Sequence, residues 1–423
     1  MRGVENKNMT TKKKLPEAPA RKPRAENNYL HIERVPIPYK KGDINKTIEV
    51  DWAYIFSLYN KLGCPKEYYN PSTLPIDKAA FFFLTSERNT GKTTNLLLIT
   101  MLLWKRYGMI SGYLRQREEE TTPKELRNLF NVILANGYIP KITDGEYNGV
   151  RYWARHYTFV RWGADGKKEA ESDPFLWVGD IQENLNYKST LNLPTCNMVI
   201  YDEFIESSFL PDEFVTMLDL HKTISRNRSG LKWFMCANTT NYYHEYFQEF
   251  LIQEEVLNCE ENDSFIKVTQ LGTAVYYHRV GAMDPAKVVV NREYYGFNNP
   301  KLKSITGGGW SMKAYQHWPS RYERKIVERN HFILFMERYY MLEFGNSPEV
   351  GLHVLVHKVT NPPKQGAIIY TIGEITSRFM FYRFGSGKFS KILWDLYDKN
   401  KWYYSTNDVG FSVESYVNRA SNI

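Results

Sequence analysis

Cysteine is scarce in this chain of 423 residues. There are four, at Cys64, Cys196, Cys236 and Cys259, and none forms a CxxC or Cys/His spacing. That excludes a zinc framework. Cys196 and Cys236 border or sit inside apolar runs and read as reduced core thiols of an intracellular protein. Long hydrophobic runs are missing too: the longest, Leu96–Trp104, is about half of what a bilayer span needs. The first 28 residues lack the apolar core of a signal peptide, so a soluble, intracellular chain is expected. No repeat with a period of about 20 to 50 residues is visible, which argues against a solenoid. Nor is the body strongly basic. The net charge is +8, but residues 1–28 hold eight Lys or Arg against three Glu, which leaves +3 for the other 395 residues. Any nucleic-acid contact on the body must come from local placement of charge.

What is present is the composition of a globular protein, 43% apolar and 24% charged, in a chain long enough for two or three folded units. Residues 1–50 form a basic tail and lead-in; the first 28, rich in Lys, Pro, Ala and Glu, cannot bury enough apolar surface to offset ordering entropy. From 51 to 277 strands alternate with helices, the pattern of a parallel sheet covered on both faces. Ala79–Thr85, Met109–Arg115, Asn197–Asp202 and Lys232–Ala237 read as buried strands. Lys92–Tyr107, Asp212–Ser225 and Tyr242–Gln253 read as helices. A further helix is expected from the Thr122-Pro123-Lys124-Glu125 capping box to Gly137. Val150–Gly163 and Pro174–Asp180 suggest a β-ribbon turning at Asp165-Gly166. Residues 278–310 are punctuated by Gly, Pro and Asn and read as a linker or subdomain. From 311 to 423, apolar runs at His331–Met336, Tyr339–Phe344, Gly351–Val359 and Ala367–Thr371 suggest a β-meander. Helices near 386–400 and 412–419 complete a smaller α+β domain.

Between the first expected strand and the helix after it lies Ser86-Glu87-Arg88-Asn89-Thr90-Gly91-Lys92-Thr93, followed by Thr94. A strand–loop–helix of this kind surrounds phosphates with backbone N–H groups and a helix N-terminus. Lys92 reaches the β- and γ-phosphates of ATP, and Thr93 offers its hydroxyl to Mg²⁺. The loop departs from GxxxxGK(S/T) at one position, where Ser86 replaces the first glycine. A Gly-Lys-Thr also occurs by accident, so the second element matters. Roughly 110 residues on, an apolar strand ends in Asp202-Glu203. Asp202 suits Mg²⁺, and Glu203 suits polarisation of an attacking water. Asn238, ending the next strand, is placed to sense the γ-phosphate, although Asn is also a common turn former. Arg226-Asn227-Arg228 closes the intervening helix. Such arginines are often solvated helix-end charges, but in ring ATPases this placement supplies an arginine to the neighbouring subunit. These features together define a P-loop NTPase of the additional-strand (ASCE) type, with Walker A and Walker B elements.

The chain resembles the DNA-packaging ATPases (encapsidation proteins) of small podophages of the Picovirinae type. The matching stretches are Tyr68-Tyr69-Asn70-Pro71, the loop bearing Arg88, Tyr113-Leu114-Arg115, and Asn197–Ile205 (NMVIYDEFI). Pro211-Asp212-Glu213-Phe214-Val215, Arg226-Asn227-Arg228 and Asn238 match as well, so the likeness spans roughly residues 65–250. The resemblance implies an ATPase that drives double-stranded DNA into an empty procapsid as a homo-oligomeric ring, a pentamer, docked on the portal. It implies action in the host cytoplasm and then at the portal vertex, absence from the mature virion, Arg226 acting in trans with Arg228 as the fallback, and Arg88 beside the phosphates. It also implies an RNase H-like relic as the C-terminal domain, and it leaves a packaging RNA open. The basic tail has no counterpart in the family.

A translocase holds the phosphate backbone without reading sequence. The candidates for that contact are Arg115 and Arg117 after the second strand, and Lys167 and Lys168 at the ribbon tip; all four also read as solvated turn residues. In the C-terminal part Glu337, Glu343, Glu349, Asp395 and Asp398 are scattered, whereas a two-metal nuclease needs converging carboxylates. Two other functions compete: a helicase or secretion-type ring ATPase, and a nucleotide-regulated nucleic-acid-binding module.

Overall fold

The computed structural model describes residues 28–35, 49–66, 68–86, 90–183, 191, 193, 195–205, 213–226, 228–238, 244–269, 272–281, 315–335, 338–372, 380–382 and 388–421. Residues 1–27, Glu87, Arg88, Asn89, Pro211, Asp212, Asn227, the 282–314 segment and Glu337 lie outside them.

Two sheets organise the chain. The first has nine strands in the order β3-β4-β5-β2-β6-β7-β1-β9-β8. Its parallel centre consists of β1 (Phe81–Ser86), β2 (Ser111–Arg115), β6 (Met198–Asp202), β7 (Lys232–Asn238) and β9 (Ala274–Val280), with the long β5 (Lys168–Asp180) beside β2 and β8 (Ser264–Val268) antiparallel to β9 at the edge. The decisive feature is β7, which lies between β1 and β6 and pairs with both. This is the additional strand expected of an ASCE fold.

Coverage on both faces explains why β1 is apolar over Phe81–Leu84. Phe82 and Leu84 join the core on one face, and Phe81 and Phe83 join the core on the other; a strand covered on both faces has no polar side to spare. Helix α2 (Lys92–Tyr107) covers the first face, with Leu96–Leu103 all buried. Its Gly108 end has φ +67°, and the Gly108 N–H closes on Trp104 O at 2.7 Å, a left-handed stop. Asp51 caps α1 (Trp52–Lys61) by accepting from Tyr54 N. On the second face lies α5 (Glu213–Ser225), followed by α6 (Glu245–Glu249) and α7 (Gln253–Asn258).

Three expectations are corrected here. The helix foreseen from Thr122 to Gly137 is broken into a 3₁₀ turn (Glu125–Asn128) and α3 (Asn131–Ala135), and α4 (Tyr138–Ile142) follows Gly137. The Thr122 hydroxyl does meet Glu125 N, at 3.5 Å. The chain then leaves helical geometry at Phe130, whose ring packs against Tyr157 and Phe175. The ribbon has an additional turn: β3 (Gly149–Trp153) and β4 (His156–Trp162) join through Ala154 and Arg155, both at positive φ. The turn at Asp165-Gly166 is where it was expected, with Gly163 N–H closing on Lys167 O. Finally, the helix foreseen over Tyr242–Gln253 ends at Glu249, and Leu251 takes a positive φ before α7 begins.

The second sheet runs β14-β13-β10-β11-β12-β15. Strands β10 (Lys325–Phe335), β11 (Arg338–Ser347) and β12 (Gly351–Val359) form the expected antiparallel meander. Strands β13 (Ile368–Tyr370) and β14 (Met380–Tyr382) extend it in parallel on the β10 side. Strand β15 (Trp402–Tyr404) pairs parallel with β12 at the other edge. Helices α8 (Lys388–Asp398) and α9 (Asn407–Ser421) pack with one sheet face around Ile333, Leu342, Val354 and Val356.

Candidate active site

Parallel strands present their C-terminal ends along one edge, and that edge collects the chemistry. Ser86 ends β1, Arg115 ends β2, Asp202 ends β6 and Asn238 ends β7. A cavity of about 670 Å³ opens there, lined by Thr90, Gly91, Lys92, Thr93 and Thr94, by Asp202, Glu203 and Asn238, and on its other side by Pro65, Tyr68, Val132 and Tyr138.

The loop is held by its own hydroxyls. Ser86 Oγ lies 2.7 Å from Thr90 Oγ1, and Lys92 Nζ donates to Ser86 Oγ and, at 3.4 Å, to Thr90 Oγ1. The serine that replaces the usual glycine therefore has a role: it braces the neck of the loop and receives the lysine. Gly91 has φ +79°, and a Cβ there would lie 3.0 Å from Tyr68, so both backbone and space demand glycine. Burial lowers the pKa of the Lys92 ammonium, and Asp202 and Glu203 are among the groups that oppose the shift.

Thr93 Oγ1 donates to Asp202 Oδ1 at 2.7 Å. A hydroxyl at a helix start and a carboxylate at a strand end are hard oxygen donors of the kind Mg²⁺ takes alongside phosphate oxygens and water. Burial raises the Asp202 pKa, while Arg115, Thr93 and Tyr113 pull it back. Tyr113 OH donates to Asp202 Oδ2 at 2.9 Å. Among the described residues no group of three or more His, Cys, Asp or Glu forms a metal cage.

Glu203 sits at φ +55°, a left-handed conformation that non-glycine residues hold only where the surroundings impose it. Its Oε2 pairs with Arg115 Nη2, and its Oε1 accepts from Asn238 Nδ2 at 3.4 Å. Arg115 also meets Glu120 Oε1 at 2.8 Å and Asp202 Oδ2 at 3.6 Å. Burial pulls the Arg115 pKa down, but Tyr113, Asp202, Glu203 and Glu120 outweigh it and hold the pKa above its ordinary value.

This corrects the reading of Arg115 as a DNA contact. Its side chain is 15% exposed and belongs to the carboxylate cluster. The sequence does not foretell that Arg115 and Tyr113 both meet Asp202; the one signal is their i, i+2 spacing on a strand adjacent to β6. Arg117 is half-buried beside a 3₁₀ turn, its N–H donating to Glu120 Oε2 at 3.0 Å. Lys167 and Lys168 are exposed at the ribbon tip, but each faces a carboxylate, Asp165 and Glu171 respectively. The tip is a mixed-charge surface.

The two arginines after α5 part company. Arg228 is 7% exposed and donates to the carbonyls of Ser225, Leu193 and Ile224. It braces the chain and is not free to reach a neighbour, which corrects its standing as the fallback finger. Arg226 is half-buried and donates to Leu191 O at 3.0 Å. Helix α5 opens at Glu213, which meets Tyr201 near the Asp202 end of β6, and its 13 residues span roughly 20 Å to the end where Arg228 meets Leu193 and Cys196, ahead of β6; Arg226 therefore lies toward the opposite edge from Asp202.

In the second sheet, Glu343 is 3% exposed on its side chain and pairs with both Arg324 and Arg329. Glu349 accepts from Ser347, and Asp395 pairs with Lys399.

No protein-family model matches the sequence, and no curated protein matches it. Solved structures do. The Phi-28 gp11 DNA packaging motor is similar over 84% of this chain and 98% of its own, at 15% identity and a TM-score of 0.50. The bacteriophage Phi-29 viral genome packaging motor assembly is similar over 84% and 99%, at 16% identity and a TM-score of 0.55. Both likenesses extend well beyond the nine-stranded sheet, and the chain therefore has the fold of these phage packaging motors: an additional-strand P-loop sheet with a smaller second sheet.

Proposed function

We propose that the chain is an ATP-hydrolysing subunit of a viral genome-packaging motor, which drives double-stranded DNA through the portal into an empty procapsid. The observation that carries the reading is the convergence of Lys92, Thr93, Asp202, Glu203 and Asn238 on one cavity at the C-terminal edge of the sheet, in a chain whose fold matches two packaging motors along most of its length.

Lys92 and the amides of the Thr90–Thr94 turn take the phosphates of ATP, with Glu87, Arg88 and Asn89 completing the loop. Thr93 and Asp202 would hold Mg²⁺, which neutralises phosphate charge when bound. Glu203 orients and polarises the attacking water, and Asn238 keeps its carboxylate aimed beside the γ-phosphate. The Arg115–Glu203 pair holds that carboxylate before turnover. Arg226, too far from its own nucleotide, acts on the neighbour's, which makes the working unit a ring; a pentamer on the portal is the assembly that fits the resemblance. Lys167 and Lys168 at the ribbon tip are the remaining candidates for backbone contact with DNA, and a packaging RNA would be a further partner. The domain limits follow the same reading, with the motor in 51–277 and a nuclease-like domain in 311–423.

The test is the ATPase rate of the purified chain alone, with linear duplex DNA, and with empty capsids. Stimulation by intact duplex without strand separation supports the motor. Unwinding of a forked duplex, or a rate indifferent to DNA and capsids, would sink it in favour of a helicase or a binding module.

A further inference from the structure

We propose that Glu213 is a positioning residue for Glu203, tying together the two supports that hold the Glu203 carboxylate in place. The inference rests on the reading of Glu203 as the group that polarises water.

Glu213 opens α5 and is 4% exposed. Its Oε2 accepts from Gln116 Nε2 at 2.7 Å, and its Oε1 accepts from Tyr246 OH at 2.9 Å and from Tyr201 OH. These three partners are neutral and themselves buried. They come from the end of β2, from β6 and from α6, elements far apart in sequence. A buried carboxylate costs too much to keep unless its lone pairs are filled, and once they are filled it fixes one arrangement of its neighbours.

Each partner sits beside something that holds Glu203. Gln116 follows Arg115, whose guanidinium grips the Glu203 carboxylate. Tyr201 precedes Asp202, and its ring lies 6.3 Å from that of Phe204, the residue after Glu203. Tyr246 stands edge-on to the same Phe204 ring at 5.6 Å. Phe204 is fully buried, its N–H closing on Cys236 O at 3.2 Å, and Phe83 and Phe247 pack on its ring as well. The left-handed backbone at Glu203 is thus clamped on one side by an aromatic cage and on the other by Arg115. Glu213 joins cage to clamp and closes a circuit: Glu203, Phe204, Tyr246, Glu213, Gln116, Arg115 and back to Glu203.

The test uses the full chain under conditions in which the wild type hydrolyses ATP. Tyr246→Phe and Tyr201→Phe each delete one hydroxyl with little change in volume, Glu213→Ala deletes all three bonds, and Glu213→Gln keeps three once the Gln116 amide turns over. Expected are a kcat lower by about 5-fold for each Tyr→Phe, one hydrogen bond's worth, and by ~10²-fold for Glu213→Ala, the order of a misplaced catalytic group. KM and the affinity for a fluorescent ATP analogue should stay within about twofold, and Glu213→Gln should recover most of kcat. A purely structural Glu213 would lower the melting temperature and leave kcat per folded molecule alone. Should Glu213→Ala fail to fold, the two Tyr→Phe variants decide. Folded, nucleotide-binding variants that turn over at the wild-type rate overturn the proposal while leaving the ATPase reading intact. Full turnover by Glu203→Gln removes the reading beneath it and the proposal together.

Discussion

Both sheets bury a carboxylate against arginine, yet the two arrangements serve different ends. In the nine-stranded sheet, Glu203 and Asp202 share Arg115 at the mouth of a cavity, and the Glu203 side chain is 37% exposed. In the six-stranded sheet, Glu343 is 3% exposed and spends both oxygens on Arg324 and Arg329. Burial pushes the Glu343 pKa up, but the two guanidinium groups win and hold it below its ordinary value. His353 adds to the closure, its ring stacked on Trp318 at 4.1 Å and accepting from Arg324 at 2.9 Å. One arginine shared among carboxylates at an open edge leaves a group that chemistry can use. Two arginines on one buried carboxylate leave a brace. The difference comes from topology, because a parallel sheet gathers strand ends at one edge whereas the meander places Glu343 in mid-strand, opposite Leu355 of β12.

The largest expected effect sharpens the first half of that contrast. If Arg226 acts across a subunit interface, Arg226→Ala should remove ~10³-fold or more of the assembled rate, as for other arginine fingers, with little loss of nucleotide affinity. Mixing Arg226→Ala with Glu203→Gln subunits should restore partial activity, since some interfaces then pair an intact Glu203 with an intact Arg226. A mixture that co-assembles and stays inactive rules the finger out.

Next in size is Glu203→Gln itself. Turnover should fall by about 10²-fold, with ATP bound nearly as well as by wild type. Lys92→Ala differs, because it should weaken binding of the nucleotide as well. Equal affinity losses in the two variants, measured by titration of a fluorescent ATP analogue, would show that the site does not divide its labour in this way.

The second half of the contrast predicts the reverse. Glu343→Ala strands Arg324, 12% exposed, while Arg329, 56% exposed, keeps its water, and should cost roughly 2 kcal/mol of stability, below the range for a fully buried pair. Its kcat should stay within about twofold of wild type when measured below the melting transition. A variant of normal stability with a collapsed ATPase rate would mean that the two sheets are not separable in function.

The smallest effect is one of pH. Burial raises the Glu213 pKa to about 7, against the hydrogen bonds from Tyr201, Gln116 and Tyr246; Glu245 pushes it the same way as burial. The folded pKa lies above the unfolded one, so the stability contribution is fully present below the ordinary value of 4.5 and is lost as pH rises through about 7. The loss is of the order of 3 kcal/mol at most. Glu213→Gln cannot titrate, so thermal melts should show the variant gaining on wild type as pH rises from 4.5 to 7. Parallel curves across that window would remove Glu213 as their source.

The local rules were legible in the chain itself. Buried strands, the helix from Lys92 to Tyr107, the Asp165-Gly166 turn and the Asp202-Glu203 strand end all follow from short-range periodicity and turn chemistry, which act over a few residues. Helix interruptions at Phe130 and Leu251 were not legible, because distant packing overrode local preference. The same holds for the arginines. Nothing in the sequence distinguishes Arg115, Arg226 and Arg228 as charges, and only the fold puts the first on Glu203, leaves the second at the far edge and buries the third among carbonyls. Where a side chain's partner lies 88 residues away, as Glu203 does from Arg115, pairing is a property of strand order, and strand order is settled by the packing of the whole sheet.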